Sequence, residues 1–403
     1  MKKLFAIALA ASALTAFAQE PAAEAATDTV KGFGFVDDIV IPGTSVKNQA
    51  QSGTCWCFSG IGFIENEIRK AGGDSIDLAE MYVVRKCYED KADRFVRMYG
   101  GMSFSPGGSV LDVPYAIANY GIVPEEAYPG LNYGEDKHAH GEVHGALEGI
   151  VKNTVKKPNR KVSTAWKGAL NGVLDAYFGE TPETFTYKGK TYTPQSFAKY
   201  LGIDPDNYVA VTSFTHHPFY QPFVLEVSDN WLWAPYQNVP LDELKAIVDN
   251  ALEKGYTVSW AADVSEGGFK WNDGVALMPK GKNEGDLTGT ELARWVKLSE
   301  RERKADKYNF DGPVAEEEIT QESRQKMFDN QETTDDHGMI IVGTAHDRDG
   351  NRYYKVKNSW DTQQKFGGYL YVSEPYFLAK TIDVMVNKDA VPAAIAKKIG
   401  LKK

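Results

Sequence analysis

Apolar residues at helical spacing define the first predicted element. Over residues 55–70, Ile61, Ile64 and Ile68 recur three and four positions apart, and a glycine pair follows at 72–73. This spacing places the three isoleucines on one helix face, and a glycine pair commonly ends a helix. The segment therefore predicts a helix. Further helices are predicted over residues 78–88, 110–119 and 164–178.

Strand-like stretches follow later in the chain. Residues 184–192 predict a strand pair that turns at Gly189, and residues 239–262 predict a helix followed by a strand. Three further apolar runs predict strands over residues 337–346, 353–357 and 368–372. Helices thus dominate the first half of the predicted elements, and strands dominate the last third.

Length and composition bound the class of protein. A chain of 403 residues, of which 42% are hydrophobic, is long enough to form two compact lobes. Its 55 acidic residues outnumber its 45 basic residues, and the formal net charge is −10. This balance argues against nucleic acid as a partner and suits an exported, soluble enzyme.

The amino terminus has the pattern of a secretory signal. Lys2 and Lys3 precede a short apolar run over residues 4–17, which ends in a small-residue pattern at residues 16–18. A basic start, an apolar centre and such an end are typical of a cleavable signal peptide, and the run is too short to span a membrane. We expect a signal peptide at 1–18, a flexible mature terminus at 19–34, and export to a periplasm or beyond. No membrane association is expected after cleavage.

The strongest candidate for chemistry is Cys55. It lies where the first helix is predicted to begin, with Trp56 after it and Gln49 six residues before it. Unpaired N–H groups and the positive end of the helix dipole stabilise a thiolate at such a position. The side-chain amide of Gln49 could donate to an oxyanion on an attacked carbonyl group. The segment predicts a cysteine nucleophile.

A cysteine nucleophile needs a base, and the base needs an orienting partner. His337 lies in an Asp-His-Gly-Met segment before an apolar run, and Asn358 begins an Asn-Ser-Trp segment further on. Each feature has an ordinary structural alternative, because Cys-Trp pairs and single histidines are more often part of a core. Their order along one chain makes coincidence unlikely.

Together these three segments resemble the papain superfamily of cysteine peptidases. The resemblance implies that Cys55 is the nucleophile, His337 the base, and Asn358 the residue that orients the imidazole. It also implies that Gln49 contributes to an oxyanion hole, and that Trp360 covers the His–Asn hydrogen bond at the substrate cleft. The implied fold is α+β and two-lobed, with a helical lobe and a β-barrel-like lobe. No cofactor is implied.

Two glycines extend the resemblance. Gly107 and Gly108 precede the helix predicted at 110–119, as a glycine pair does in papain-like enzymes. The resemblance implies that their backbone hydrogen-bonds an extended peptide substrate. An ordinary loop is the alternative meaning of such a pair.

The long interval between Cys55 and His337 points within the superfamily. The 282 residues that separate them (337 − 55) exceed the 130–150 of small papain-like enzymes. Segments from about residue 35 to 391 resemble the bleomycin hydrolase/aminopeptidase C family. The peptidase domain is then expected at 35–390, divided into a helical lobe at about 49–131, an insertion at about 132–238 and a β-rich lobe at about 239–390. A short basic tail is expected at 391–403.

The resemblance leaves the mode of cleavage open. In that family a carboxyl-terminal arm runs into the cleft and its carboxylate holds the free amine of the substrate. The end of this chain looks short and basic by comparison, and Asp361 follows Trp360 where many relatives have glycine. We expect an aminopeptidase acting on short peptides. A papain-like endopeptidase with an open cleft and an inactive peptide-binding homologue are the alternatives. A homo-oligomer is possible.

The two remaining cysteines allow two interpretations. Cys57 and Cys87 could pair in an oxidising compartment, although a buried thiol is equally natural for Cys57, and Ser52 stands where the usual papain-like bridge begins.

His138, His140 and His144 have a spacing that could ligate a metal, although a solvated polar loop is the commoner meaning. We therefore expect no metal there. The pair His216-His217 is expected to be structural.

Overall fold

A computed structural model of the chain describes residues 32–282 and 284–401. The signal peptide predicted at 1–18 and most of the terminus predicted at 19–34 lie outside the described residues. Phe33 is already buried and stacks on Phe35, with ring centroids 5.0 Å apart. Buried packing is therefore already present at Phe33, before the expected domain start at residue 35.

The described residues form helices and strands in the order expected. In chain order, helices α1 to α12 run over Cys55–Lys70, Glu80–Arg97, Asp112–Tyr120, Gly141–Val155, Ala165–Phe178, Pro194–Tyr200, Leu241–Glu253, Gly289–Trp295, Glu300–Lys307, Gln321–Asp329, Glu374–Lys380 and Ala393–Lys398. Strands β1 to β13 run over Val36–Val40, Phe185–Tyr187, Lys190–Tyr192, Tyr208–Thr212, Phe223–Val224, Pro235–Asn238, Val258–Ala262, Phe269–Lys270, Val275–Ala276, His337–His346, Arg352–Lys357, Tyr369–Ser373 and Thr381–Asn387. The predicted α+β class is confirmed.

One large sheet organises the second half of the chain. Its strand order is β5-β6-β4-β13-β7-β10-β11-β12-β9-β8, and β1 also pairs with β10. Strand β10 is antiparallel to both of its neighbours on this path, β7 and β11, and His337 lies opposite Ala262 in the register. Because all but the last residue of β10 are buried, this strand reads as a continuous apolar run after its first residue.

Helix α1 lies between this sheet and the other helices. It packs against β10 and β7 on one side and against α2 and α3 on the other. Its residues from Trp56 to Ile68 are all buried. A helix enclosed on every side is part of a core, and its buried polar residues Glu65, Asn66 and Glu67 are hydrogen-bonded. The start of α1 is therefore held in place by both halves of the molecule.

A large apolar cluster lies on each side of α1. One joins the first five helices through residues such as Ile64, Val84, Val113, Leu147 and Leu174. The other joins the sheet to helices α7, α11 and α12 through residues such as Leu244, Trp260, Ile341, Tyr376 and Ile395. The molecule thus has a helical side and a sheet side, with α1 between them.

The segment expected as an insertion, 132–238, is divided between these two sides. Helices α4 and α5 pack on each other and on α2. Strands β4 and β6 extend the large sheet next to β13, while β2 and β3 form a separate hairpin. The hairpin turns at Lys188 and Gly189, as the sequence predicted.

The described part of the expected carboxyl-terminal tail is a docked helix. Ile395 and Ile399 of α12 are buried, and Lys398 forms an ion pair with Glu243 near the start of α7. Residues 391–401 thus pack on the sheet side of the molecule, next to α7. Among the described helices, none combines the length and apolar character that crossing a bilayer requires.

Candidate active site

Cys55 is the first residue of α1. The carbonyl oxygen of Thr54 accepts the first helical hydrogen bonds, from the backbone N–H of Cys57 at 2.9 Å and of Phe58 at 3.3 Å. The Thr54 hydroxyl donates to Ser52 Oγ at 2.7 Å and is not used to cap the helix. The positive dipole end of α1 and its first N–H groups therefore remain available to the Cys55 sulfur. They are also available to a carbonyl group that the sulfur would attack.

Gly338 brings His337 to the start of this helix. A Cβ at Gly338 would lie 2.7 Å from Ser59 Oγ and 3.1 Å from the Cα of Trp56. Only a residue without a side chain allows β10 to lie this close to the first turn of α1. As a result Cys55 and His337 line the same recess, and the backbone N–H of Gly338 hydrogen-bonds the Cys55 sulfur.

Asn358 holds the imidazole of His337. Its Oδ1 accepts a hydrogen bond of 2.7 Å from His337 Nε2 and another of 2.7 Å from the backbone N–H of Ser359. The second bond fixes the side-chain amide with its oxygen toward the ring. With the proton on Nε2, the neutral ring presents Nδ1 as its free base nitrogen.

Trp360 covers this hydrogen bond. Its ring lies over His337 with centroids 4.5 Å apart and an angle of 35° between the planes. Phe269 and Trp271 pack edge-on against the Trp360 ring. These aromatic rings restrict the access of water to the imidazole and to its bond with Asn358.

Gln49 lies beside the same segment. Its backbone N–H donates to the carbonyl oxygen of Ser359 at 2.8 Å, and its Oε1 accepts from the Ser359 hydroxyl at 2.7 Å. Because the amide oxygen is engaged, the amide nitrogen is the group left to donate. The residue is 7% exposed, so these bonds hold its side chain in the folded structure next to the segment that carries Asn358.

Burial shifts the pKa values of Cys55 and His337 in opposite directions. It raises the pKa of the Cys55 thiol to about 12, while the N–H groups of Gly338 and Trp56 act to lower it. Burial lowers the pKa of His337 to about 4, against the hydrogen bond to Asn358, which acts to raise it. A single charge on either residue is therefore disfavoured. Proton transfer from sulfur to imidazole forms both charges together, and their attraction offsets the cost of burial.

The glycine pair lies on the opposite side of the recess. A Cβ at Gly108 would lie 2.8 Å from the Trp56 ring, so the absence of a side chain there allows internal packing. A Cβ at Gly107 would lie 2.6 Å from the carboxylate carbon of Asp229. The backbone edge expected to bind an extended substrate is thus covered by an aspartate that the sequence motifs gave no reason to select.

The comparisons with known proteins match this geometry. The model of the Peptidase C1-like family matches residues 2–278 and 283–402. The chain belongs to this family. The sequence-based prediction of a cysteine peptidase related to aminopeptidase C and bleomycin hydrolase is confirmed at the family level.

Individual relatives agree. Aminopeptidase C of Lactobacillus delbrueckii subsp. lactis is 26% identical over 395 residues, which cover 88% of this chain and 81% of that protein. Bleomycin hydrolase of Mus musculus is 23% identical over 417 residues, which cover 91% and 86%. The crystal structure of PepW from Lactobacillus rhamnosis has a TM-score of 0.66 at 21% identity and covers 90% of this chain and 84% of its own. This last likeness supports the papain-like fold.

The remaining cysteines are free thiols. Cys57 and Cys87 are both buried and unpaired, and Cys57 Sγ donates to the carbonyl oxygen of Glu80 at 3.3 Å. Of the two alternatives for these residues, the structure thus shows the buried thiol.

The histidines of residues 138–144 correct an expectation. His140 is 1% exposed and packs edge-on against Phe178. Burial lowers the pKa of His140 to about 3 and that of His138 to about 4. The expectation of a solvated polar loop holds for the exposed residues 135–137 and fails at His140, whose ring packs as an apolar group against Phe178 on α5.

A different histidine cluster has metal-like spacing. Among the described residues, ligand atoms of His216, His217 and Glu226 lie within 4.8 Å of one another. The two Nε2 atoms contact Glu226 at 3.0 and 2.7 Å, and Gln325 Nε2 donates to His216 Nδ1 at 3.1 Å. This bond from Gln325 leaves the proton of a neutral His216 on Nε2, where it donates to Glu226. The cluster is satisfied by its own hydrogen bonds.

A wider groove lies on the far side of the ion pair between Lys380 and Asp263, along α9 and α10. Its lining is mostly charged and includes none of Cys55, His337 and Asn358. We therefore place the active site in the smaller recess at Cys55.

Proposed function

We propose that this chain is a cysteine peptidase that removes residues from the free amino end of short peptides. The observation that carries the proposal is the shared recess of Cys55 and His337, with His337 Nε2 held 2.7 Å from Asn358 Oδ1. The free-amine preference is supported by relatives named aminopeptidase C, W and G.

The first half of the reaction forms an acyl-enzyme. The Cys55 sulfur attacks the carbonyl carbon of the scissile bond, while its proton passes to Nδ1 of His337. The Gln49 amide and the first N–H groups of α1 stabilise the oxyanion. The carbon–nitrogen bond then breaks, and His337 gives its proton to the leaving amine.

The second half regenerates the thiol. A water molecule attacks the thioester carbonyl, and His337 accepts the proton of that water. The carbon–sulfur bond breaks, the sulfur recovers the proton from His337, and the released product carries a new carboxyl group. Asn358 keeps the imidazole in one tautomer through both halves.

Replacement of the nucleophile tests this mechanism. We expect Cys55→Ala to lose all measurable hydrolysis, because no other described thiol lines the recess. The matched control is Cys87→Ala, which removes a buried thiol on α2 and should retain most of the activity. Full activity of Cys55→Ala would contradict the mechanism.

The mode of cleavage is tested separately. A peptide with a free amino terminus and its N-acetylated counterpart are offered to the wild-type enzyme. Hydrolysis of the free peptide alone supports an aminopeptidase, whereas equal hydrolysis of both supports the endopeptidase alternative. A wild-type protein that hydrolyses neither and does not react with a thiol-directed electrophile would be the inactive homologue.

We also propose that the enzyme is exported. The support is the basic start, the apolar run and the small-residue end of residues 1–18. Mass spectrometry of the protein recovered from its native cell should find a mature chain that starts at Gln19. A native chain that retains residues 1–18 would contradict export by this signal.

A further inference from the structure

The recess at Cys55 is lined by several carboxylates. Asp229, Asp335, Asp336 and Asp383 all contribute to its wall, together with Cys55. A peptidase that only needs to bind neutral backbone has no use for so many acids next to its nucleophile.

Asp229 occupies the position where a peptide chain would have to run. Its carboxylate lies on Gly107, accepts a hydrogen bond from the backbone N–H of Gly108, and contacts Ser105 Oγ at 3.4 Å. An extended substrate could pair with this glycine edge only by displacing the carboxylate. Asp229 therefore ends the cleft close to the nucleophile.

The segment around Asp229 is held in place by its neighbours. The Asn230 side chain is buried and bonds Leu225 and Ala234, donating to both carbonyl oxygens at 3.1 Å. The Trp231 indole N–H donates to the carboxylate of Asp112 at the start of α3. These anchors fix Asp229 against the recess as part of the folded structure.

Among the described residues, none of the recess carboxylates forms a direct ion pair, although the charge of Arg324 acts on Asp383 and that of Lys91 acts on Asp229. The Lys91 ammonium group donates to the carbonyl oxygens of Ser105 and Gly107. Asp383 is 2% exposed, and its Oδ1 has no hydrogen-bond partner. Burial, followed by the charges of Asp229, Asp336 and Asp112, raises the pKa of Asp335 to about 8. A cation that entered the recess would relieve this repulsion.

We propose that Asp229, with Asp335 beside it, receives the free α-ammonium group of the substrate. The inference rests on the proposed aminopeptidase function and names the residues that would select for it. A lysine or arginine side chain carries similar charge. We favour the α-ammonium group because Asp229 covers the backbone edge at Gly107. A peptide that extended further toward its amino end would need this edge for its own backbone hydrogen bonds.

The described carboxyl-terminal residues do not compete for this role. Helix α12 packs against the sheet side through Ile395 and Ile399, and none of the described residues after 391 lines the recess. Within the described residues, the acidic groups that line the recess are the side chains of Asp229, Asp335, Asp336 and Asp383.

The test is Asp229→Asn, assayed on three substrates. They are a free-amine peptide, its N-acetylated counterpart, and an acetylated peptide whose second residue on the amino-terminal side of the scissile bond is lysine. We expect kcat/KM for the free-amine peptide to fall about 100-fold, mostly through KM, because a buried charge pair is lost. Hydrolysis of the acetylated peptides should stay the same or rise. The matched control is Asp242→Asn, which removes an exposed carboxylate at the start of α7. This variant should leave kcat/KM unchanged for all three substrates.

The other outcomes are distinct. An unchanged preference for the free amine in Asp229→Asn would overturn the inference while leaving the proposed function intact. An equal loss on all substrates would overturn it too, since it would show a purely structural role, and labelling of Cys55 by a thiol-directed electrophile would show whether the site is intact. A selective loss on the lysine peptide would identify a side-chain subsite instead. A wild type without free-amine preference would refute the aminopeptidase mode itself.

Discussion

The two walls of the recess at Cys55 differ in how their polar groups are satisfied. On the wall formed by β10 and β11, the imidazole of His337 is bonded to Asn358, and Asn358 to Ser359. On the other wall, the charge of the loop residue Asp229 acts on Asp335, which lies two residues before His337, and neither carboxyl group forms an ion pair among the described residues. In the mechanism proposed above, the first wall carries the proton transfer and the second receives the positive charge of the substrate.

The difference also appears in how each wall is built. Regular strand pairing places His337 opposite Ala262, and the missing side chain of Gly338 sets its distance from α1. The acidic wall depends on contacts between distant segments, such as Asp229 on Gly107 and Trp231 on Asp112. We infer that the strand-built wall carries the chemistry and that the loop-built wall carries the choice of substrate.

The largest effect should come from removing the base. We expect His337→Ala to lower kcat/KM about 1,000-fold, since a positioned general base contributes that much. The Cys55 thiol, whose pKa burial raises to about 12, would then stay protonated at neutral pH. Its alkylation rate in this variant should rise about tenfold per pH unit from pH 7 to 9, because the thiolate is the reactive form.

The control for this prediction is at the other end of the same strand. His346 is half-exposed and pairs with Asp38, so His346→Ala should keep full activity. An alkylation rate in His337→Ala that does not depend on pH would contradict the assigned partnership of Cys55 and His337.

A smaller effect should follow from moving the strand-built wall. In Gly338→Ala the added Cβ would meet Ser59 and Trp56, and β10 would have to shift away from α1. We expect a loss of about 100-fold in kcat, because displacements near 1 Å cost that much in a positioned site. Gly145→Ala is the matched control, since its Cβ would meet nothing within 4 Å on α4. Equal activity of both variants would show that the close approach is unnecessary.

The smallest effect concerns stability on the acidic wall. The pKa of Asp335, at about 8 in the folded protein, lies above its ordinary value of 3.8. The folded state therefore keeps a proton that the unfolded state loses, and the stabilisation present below pH 4 is lost as the pH rises toward 8. Asparagine does not titrate, so Asp335→Asn should gain about 2 °C in melting temperature relative to wild type between pH 5 and pH 8.

Thermal unfolding at both pH values measures this difference. Asp242→Asn, which removes an exposed carboxylate, should show no change with pH relative to wild type. A pH-independent difference for Asp335→Asn would show that this carboxyl group is not held protonated in the fold.

The sequence predicted the strand-built wall better than the loop-built wall. The apolar run after His337 corresponds to β10, and the predicted helix at 55–70 corresponds to α1. Both elements depend on local periodicity, which a single sequence displays. The roles of Cys55, His337, Asn358 and Gln49 stay predictions from resemblance, although the structure brings these residues together.

Asp229 could not be selected from the sequence because its role depends on a contact with Gly107, more than one hundred positions earlier in the chain. The related feature in the sequence is Gly107, because its lack of a side chain makes room for the carboxylate. The buried packing of His140 was missed for the same reason, since its neighbour Phe178 lies on a separate helix.

The central claim is that Cys55 acts on peptides with a free amino terminus. Leucine chloromethyl ketone and its N-acetylated form, incubated with the full protein and followed by mass spectrometry of its peptides, test this directly. We predict a single label on Cys55 that forms much faster with the free-amine reagent. Labelling at equal rates, or on a residue other than Cys55, would contradict the account.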